Sequence, residues 1–374
     1  MIILHVVEPF ASGIAVFVKS LTEAMPNDTH LIFHGERKAV MPAHEVKKLF
    51  PKRNVRFIRW QSAQRSIHPL KDVQAFNQLY RLLKRLKKRK LVDAVHLHSS
   101  KSGLIGRIAC RMAGVTNVIY TPNGAPFLAG GNAVSNYFYR RLEKLGNRMG
   151  GEIVCCSESE LAAYQQIGLE GRFINNGVAL QPQLAPDLLK KKSSKFRIVT
   201  SGRIEGQKNP ALFNAVAAYF EDLEQFEFIW IGDGDQKSLL TSKNISVTGW
   251  IPPAQVKVLM TEADLYFSTS HYEGLSFAVL EALALQKPLL LSDCIGNKDV
   301  IHKGLNGDLF SGKHEAINKI LSYYNNSDML QVMGEFSYKT CQTKFNMQQN
   351  FRSYRDLYGE EVSVERKNIE WSVN

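Results

Sequence analysis

Two doubly wound α/β domains, each on a parallel sheet and facing one another across an inter-domain cleft, are what this sequence predicts. Three observations lead there. Apolar runs of strand length alternate with helically spaced segments through the first half, a Pro-, Lys- and Ser-rich stretch interrupts them, and the alternation then restarts. A length of 374 residues suits two domains at ~150 residues each.

In the first series, Ile2–Val7 reads as a buried strand, Ile14–Met25 as a helix and His30–Phe33 as a strand. Lys71–Lys90 reads as an amphipathic helix with Val73, Phe76, Leu79, Leu83 and Leu86 on its apolar side. Strand Ala94–Leu97, helix Gly103–Ala113 and strands Asn117–Tyr120, Ile153–Cys156 and Arg172–Ile174 complete it. The expected divisions are a first domain over 1–182, a linker over 183–195, a second domain over 196–345 and a C-terminal helix over 346–374. The second series runs strand Phe196–Thr200, helix Ala211–Phe220, strands Glu227–Ile231 and Ile245–Thr248, a helix near Ala254–Met260, strand Leu265–Ser268, helix Ser276–Leu285 and strand Pro288–Leu291. Ligands of such sheets bind outside the carboxyl ends of the strands, so chemistry is expected in the loops there.

Composition excludes several classes. With 44% apolar and 22% charged residues the chain is neither disordered nor a coiled coil. Glu281, Gln286, Lys287 and Pro288 break the longest apolar stretch, well short of the ~20 residues that span a bilayer. The start, MIILHVVEPF, lacks the basic segment of a signal peptide. Five cysteines without a C-x-x-C fit a reducing compartment, and the cytoplasm is the expected location.

The net charge of +12 is uneven. Residues 44–90 hold 15 Lys/Arg against Glu45 and Asp72. Either this is a solvated basic face or it meets an anionic partner such as lipid head groups, a polyanionic acceptor or nucleic acid.

Three loops of the second series carry the chemistry. In Ser201–Pro210, Asn209 suits a helix N-cap and Pro210 the first helical position, with Gly202, Arg203 and Lys208 nearby. Free N–H groups and two cations make an anion site. In Gly232-Asp233-Gly234-Asp235, an Asp-x-Asp pattern could hold a divalent metal, while the flanking glycines read as a tight turn. In His271–Leu283, the helix from Phe277 is apolar nearly all round, so it should be buried, and Glu281 on it should need hydrogen-bond donors. Gly274 permits close backbone approach, and the amides of Leu275, Ser276 and Phe277 offer a second phosphate cradle. Glu273 lies just outside that helix start and can accept from a vicinal diol. A carboxylate on each side of an anion site fits a nucleoside diphosphate sugar.

At these residues the chain resembles the family 4 retaining glycosyltransferases of GT-B fold. Their two glutamates, separated by seven residues, match Glu273 and Glu281 in EGLSFAVLE, and their Gly-Arg plus Lys loop matches Gly202, Arg203 and Lys208. SGIAVFVKSL, HSSKSGLIGRIA, YTPNG, SESE, NNGV, GDGD and NKDVIHKGLNGDLF are similar in the same order, over about residues 1–310. The resemblance implies that Glu281 binds the ribose, Glu273 faces the donor sugar and Arg203 with Lys208 hold the diphosphate. It implies no metal and no cofactor beyond the nucleotide-sugar co-substrate. It also implies that the C-terminal helix over 346–374 returns to the first domain.

Two departures stand out. Many members have a histidine in a T-x-H-G segment where this chain has Asn123 in Thr121-Pro122-Asn123-Gly124, and an asparagine can orient or polarise but cannot act as a base. Their Gly-Gly loop is Ser12-Gly13 here, in which Gly13 still permits close approach to the donor.

The implied reaction is sugar transfer with retention by front-face attack, the leaving phosphate helping to take the acceptor proton. The protein contributes positioning and charge stabilisation. The first domain is expected to hold the acceptor through His98, Ser99, Lys101 and Asn123. The basic stretch suggests an acceptor presented at the anionic inner leaflet, a lipid-diphosphate-linked saccharide extended in polysaccharide or O-antigen assembly. Two alternatives stay open: a GT-B nucleotide-sugar epimerase, and a non-catalytic basic polyanion-binding protein. Against nucleic acid as the partner, the aromatics are not interleaved with Arg/Lys as a stacking platform requires.

Overall fold

In the computed structural model the described residues are 1–8, 10–37, 42–51, 53–64, 66–128, 133–180 and 195–370, with side chains as far as Gly359. Of the expected linker only Lys195 lies among them. The chain divides into two compact units, one of Met1–Asn176 with the C-terminal helix from Met347, the other of Gly177–Asn346.

The first unit is built on seven parallel strands, β1 (Ile2–Val7), β2 (Thr29–His34), β3 (Val55–Arg59), β4 (Ala94–His98), β5 (Val118–Thr121), β6 (Glu152–Cys155) and β7 (Arg172–Phe173). Their order is β3-β2-β1-β4-β5-β6-β7, so the strand order reverses between β1 and β4. Helices α1 (Ser12–Ala24), α2 (Ala43–Lys48), α3 (Pro69–Lys88), α4 (Ser100–Ala113), α5 (Ala133–Arg148) and α6 (Glu158–Gln166) connect them. Strand β4 shows how the sheet is covered. His96 meets Phe17 of α1 and Tyr354 of the C-terminal helix, whereas Leu97, one residue on, meets Gly106 of α4. A Cβ at Gly103 or Gly106 would lie 2.2 Å from the Tyr120 ring or 2.4 Å from Leu97, so these glycines let α4 sit close to the sheet.

The second unit has six parallel strands, β8 (Phe196–Ser201), β9 (Phe226–Ile231), β10 (Ile245–Val247), β11 (Leu265–Ser268), β12 (Leu289–Ser292) and β13 (Gly307–Phe310), in the order β10-β9-β8-β11-β12-β13. Helices α7 (Pro210–Tyr219), α8 (Pro253–Glu262), α9 (Phe277–Ala284), α10 (Lys313–Asn325) and α11 (Ser327–Lys344) belong to it, and α12 (Met347–Glu370) is the C-terminal helix. Its core joins Phe213, Trp230, Phe267, Phe310 and Tyr323, aromatics from both sheet and helices. The strand order reverses between β8 and β11. The loops leaving those two strands are Gly202–Asn209 and Thr269–Ser276, where the sequence places its charged residues.

Two expectations need correcting. Val73 is 59% exposed; the buried stripe of α3 is Ala75, Leu79, Leu83 and Leu86. Glu281 is exposed rather than buried, although Val279, Leu280, Ala282, Leu283 and Ala284 around it are buried. The uncovered stripe of α9 is Phe277, Ala278 and Glu281, which fall on one side at helical spacing.

Candidate active site

The β8 and β11 loops are tied together before any charged group is considered. Thr269 Oγ1 donates to the Lys208 carbonyl at 2.8 Å, and the His271 amide donates to the Gln207 carbonyl at 2.8 Å. Asn209 takes the left-handed conformation (φ 52°) and caps α7 by accepting from the Leu212 amide at 3.2 Å, with Pro210 next, as the sequence suggests.

This fixes Lys208 Nζ 2.6 Å from Glu273 Oε1. Ser270 Oγ donates to the same oxygen at 2.7 Å, and Gln207 Nε2 donates to Oε2 at 3.4 Å and to the Tyr272 carbonyl at 3.0 Å. Glu273 is 6% exposed: it is a held carboxylate. Gly296 (φ 84°) makes that packing possible, because a Cβ there would lie 2.8 Å from Glu273 Cβ. Gln207, Ser270 and Gly296 were not singled out from the sequence. Gln207 sits inside the Ser201–Pro210 loop without a charge to mark it, Ser270 lies one residue before the His271–Leu283 segment, and Gly296 is 23 residues from Glu273 in the chain.

Arg203 pairs with Glu205 in its own loop, Nη2 to Oε1 at 2.6 Å. Gly202 (φ 145°) precedes it; its carbonyl accepts from Trp230 Nε1 at 2.9 Å, and a Cβ would sit 3.1 Å from Lys208 Cε. Gly274, Leu275 and Ser276 are buried and Phe277 half-buried at the start of α9, whose first amides have no intrahelical acceptor. Glu281, one turn on, is open to water, yet the surrounding protein raises its pKa to about 7 by desolvation. Both facts hold for a carboxylate on the wall of a recess: wet, but crowded by protein.

Asp233 Oδ1 accepts from the Gly234 amide at 2.9 Å, closing its own turn. A Cβ at Gly232 would lie 2.2 Å from the Gly202 carbonyl oxygen, and one at Gly234 2.4 Å from the Ile204 carbonyl oxygen. These glycines let two loops touch, which accounts for the Gly-Asp-Gly pattern without an ion.

In the first unit, Ser12 (φ 55°), Ser99 (φ 69°) and Asn123 (φ 56°) hold left-handed conformations after β1, β4 and β5, three neighbouring strands. Such strain in non-glycine residues clusters at functional sites. Asn123 Nδ2 donates to the Thr121 carbonyl at 3.2 Å, and Glu160 holds the loop by accepting from the Gly124 and Cys156 amides, each at 2.8 Å. Gly13 is exposed in open space at the start of α1. Lys101 is a correction. It is held by Asp72 Oδ1 at 2.6 Å and by the carbonyls of Gln64 and Ser66, so it joins α4 to the start of α3 and is not a free acceptor contact.

His98 is also a correction, since it is fully buried. It ends a seam of imidazoles. His30 Nε2 donates to the Met25 carbonyl at 3.2 Å, so its Nδ1 is the acceptor for His5 Nε2–H at 2.9 Å, and His5 Nδ1 in turn accepts from His98 Nε2–H at 3.0 Å. His98 Nδ1 is left as a buried acceptor with no partner. His96 bonds to Tyr358 and Thr121 at 2.7 and 2.8 Å. His5, His96 and His98 are the one group of three or more clustered metal-ligand side chains among the described residues. Both nitrogens of His5 and of His96 are already engaged, which makes this a hydrogen-bonded core rather than a ligand set.

Two Rossmann-like units, the second with paired cations and carboxylates at its switch point, define a GT-B glycosyltransferase. Residues 12–177 match the family described as glycosyl transferase 4-like domain and residues 185–340 match glycosyl transferases group 1; the chain belongs to this family. It is 28% identical over 329 residues to UDP-Gal:alpha-D-GlcNAc-diphosphoundecaprenol alpha-1,3-galactosyltransferase of Escherichia coli, covering 79% of this chain and 81% of that protein. It is 21% identical to alpha-monoglucosyldiacylglycerol synthase of Acholeplasma laidlawii, over 87% of this chain and 88% of the relative. Among solved structures, Anabaena Alr3699/HepE in complex with UDP and glucose superposes with a TM-score of 0.77 at 16% identity, covering 95% of this chain and 98% of that one.

Proposed function

We propose that this glycosyltransferase moves a sugar, with retention, from a UDP-sugar to a lipid-diphosphate-linked saccharide in bacterial surface polysaccharide or O-antigen synthesis. The observation that carries the reading is the Lys208–Glu273 pair at the switch point, with Arg203 in the same loop as Lys208 and Glu281 one helical turn into α9, which begins four residues after Glu273. The name of the Escherichia coli relative supports both the UDP donor and the polyprenyl-diphosphate acceptor.

In this reading Arg203, Lys208 and the first amides of α9 meet the diphosphate, Glu281 accepts from the ribose hydroxyls, and Glu273 faces the sugar. Gly13, Gly202 and Gly274 give the donor room. The bond from the anomeric carbon to the diphosphate oxygen breaks, the acceptor oxygen bonds to that carbon on the same face, and the acceptor proton passes to the departing phosphate. Asn123 and Ser99 orient the acceptor. No metal and no further cofactor takes part. No helix among the described residues is long and apolar enough to cross a membrane. In this reading the chain works as a peripheral protein on the cytoplasmic face, drawn there by the basic stretch 44–90.

The test is a melting-temperature screen with nucleotide sugars, followed by transfer to membrane extract and assignment of the product anomer. A rise with one UDP-sugar and an anomer matching the donor support the reading. No shift with any nucleotide sugar, or an inverted anomer, rejects it.

A further inference from the structure

Helices α3, α4 and α5 lie together on unit 1, α4 packing against both neighbours. Between them they carry two carboxylates, Asp72 and Glu143. Both are consumed by cations of α4. Asp72 pairs with Lys101 at 2.6 Å, and the buried Glu143 pairs with Arg107 at 3.0 Å while accepting from Tyr120 Oη at 2.9 Å. No carboxylate of these three helices is thus left to offset the cations on their outer surface.

It is also apolar. Val134, Tyr137, Phe138 and Leu145 of α5 are 76%, 59%, 51% and 44% exposed, and they share one stripe with Arg141 at helical spacing. Arg140, Lys144 and Arg148 flank it and are exposed too. Beyond α4, Ile67, Leu70 and Val73 at the start of α3 are 72%, 73% and 59% exposed. Both α3 and α5 follow strands of the same parallel sheet, so both begin at its carboxyl edge. The exposed apolar groups at the two helix starts thus begin near the edge that carries Ser99 and Asn123, while Leu145 and the cations Arg81, Lys84, Arg85 and Lys88 lie further along the helices, away from that edge. An outward stripe of aromatic and aliphatic groups beside exposed cations is how a helix lies in a bilayer interface.

We infer that α5 and the start of α3 form a docking face for an anionic lipid bilayer, set so that the Ser99–Asn123 edge meets an acceptor whose lipid stays in the membrane. The acceptor part of this inference rests on the function proposed above; the docking face does not. Charge complementarity and the mixed apolar-cationic stripe select the occupant. A second copy of this chain would bring its own cations against these.

The experiment is co-sedimentation of the full chain with vesicles of phosphatidylcholine, with and without phosphatidylglycerol, at low and moderate salt. The wild type should partition onto the anionic vesicles and be released by salt. Arg140→Gln with Arg141→Gln and Lys144→Gln should weaken partitioning on the order of 100-fold, since each near-surface cation contributes about fivefold. Tyr137→Ser with Phe138→Ser should weaken it about 10-fold or more. Lys243→Gln with Lys303→Gln and Lys313→Gln removes the same charge from unit 2 and should bind as wild type. All variants should keep the UDP-induced melting shift, which separates this test from that of the donor site. Wild-type partitioning in the α5 variants, equal loss in the unit 2 variant, or an apolar variant that instead dissolves a dimer overturns the docking face.

Discussion

Lys208 Nζ sits 2.6 Å from Glu273 Oε1, joining the cation of the β8 loop to the first of the two glutamates separated by seven residues. The ammonium has three donors and the carboxylate takes one, so Lys208 can hold Glu273 and still meet an anion. This makes it both a positioning and a charge-stabilising group. Lys208→Ala should lower turnover ~10²–10³-fold, the effect of removing a pre-organised donor to developing charge. It should also lower the melting temperature, because a nearly buried Glu273 loses a charged partner, at a cost of about 1–3 kcal/mol. Arg203→Ala should lower turnover similarly with little change in melting, since Glu205, with which it pairs, lies half-exposed in the same loop. Initial rates and calorimetry on the two variants check this; near-normal turnover in both removes the assignment.

Glu281 gives a pH signature. Desolvation raises its pKa to about 7 in the ligand-free chain, so near neutrality it is shared between acid and carboxylate. The carboxylate accepts twice and the acid donates once, so a diol prefers the ionised form. Donor KM should rise as pH falls below about 7 in the wild type. In Glu281→Gln it should be raised about 10- to 100-fold, the worth of a hydrogen bond to a charged group, and flat with pH. A wild-type donor KM constant from pH 8 to 6 contradicts the role.

How much of this was legible follows from range along the chain. Asn209 as a cap, Pro210 as the first helical residue and the α9 start are local, and the sequence shows them. Burial of Glu281 was misread because eight apolar neighbours suggest a helix covered all round; the sequence cannot show that the Phe277–Ala278–Glu281 stripe is uncovered. Lys101 and His98 were misread for a related reason. Their partners Asp72 and His5 are 29 and 93 residues away and come together only through strand order. Helix α5 was not seen at all, because its large apolar groups face outward and so mark no buried side.

Gly232 should be needed by the fold and Gly13 only by the ligand. At Gly232 the backbone is in the left-handed region (φ 143°), and an added Cβ would meet the Gly202 carbonyl oxygen at 2.2 Å. Gly232→Ala should therefore destabilise the second unit by roughly 2–5 kcal/mol, strain and overpacking together. At Gly13 nothing lies within 4 Å of an added Cβ and φ is ordinary, so Gly13→Ala should melt as wild type. If its donor KM nevertheless rises, the space at Gly13 belongs to the donor. Unchanged melting in Gly232→Ala would refute the close approach of the two loops.

The histidine seam makes acid the weak side of the first unit. Each contact among His30, His5 and His98 uses one N–H and one bare nitrogen; protonating His5 or His30 turns a donor–acceptor contact into two opposed donors, and protonating His98 puts a proton on a buried Nδ1 with nothing to accept it. Burial, reinforced by neighbouring imidazoles, holds His5, His96 and His98 well below 6.5, and burial lowers His30 to about 4. Unfolded imidazoles titrate near 6.5, so between about 6.5 and 4 the unfolded chain binds more protons than the native one. Stability is full above that window and lost as pH falls through it, by up to ~1.4 kcal/mol per pH unit for each seam histidine. Urea unfolding at pH 7.5, 6 and 5, followed by the fluorescence of Trp60 in the first unit, should show a falling midpoint, less steep in His5→Gln. A midpoint that stays level down to pH 5 would mean that the rings are not held neutral in the folded chain.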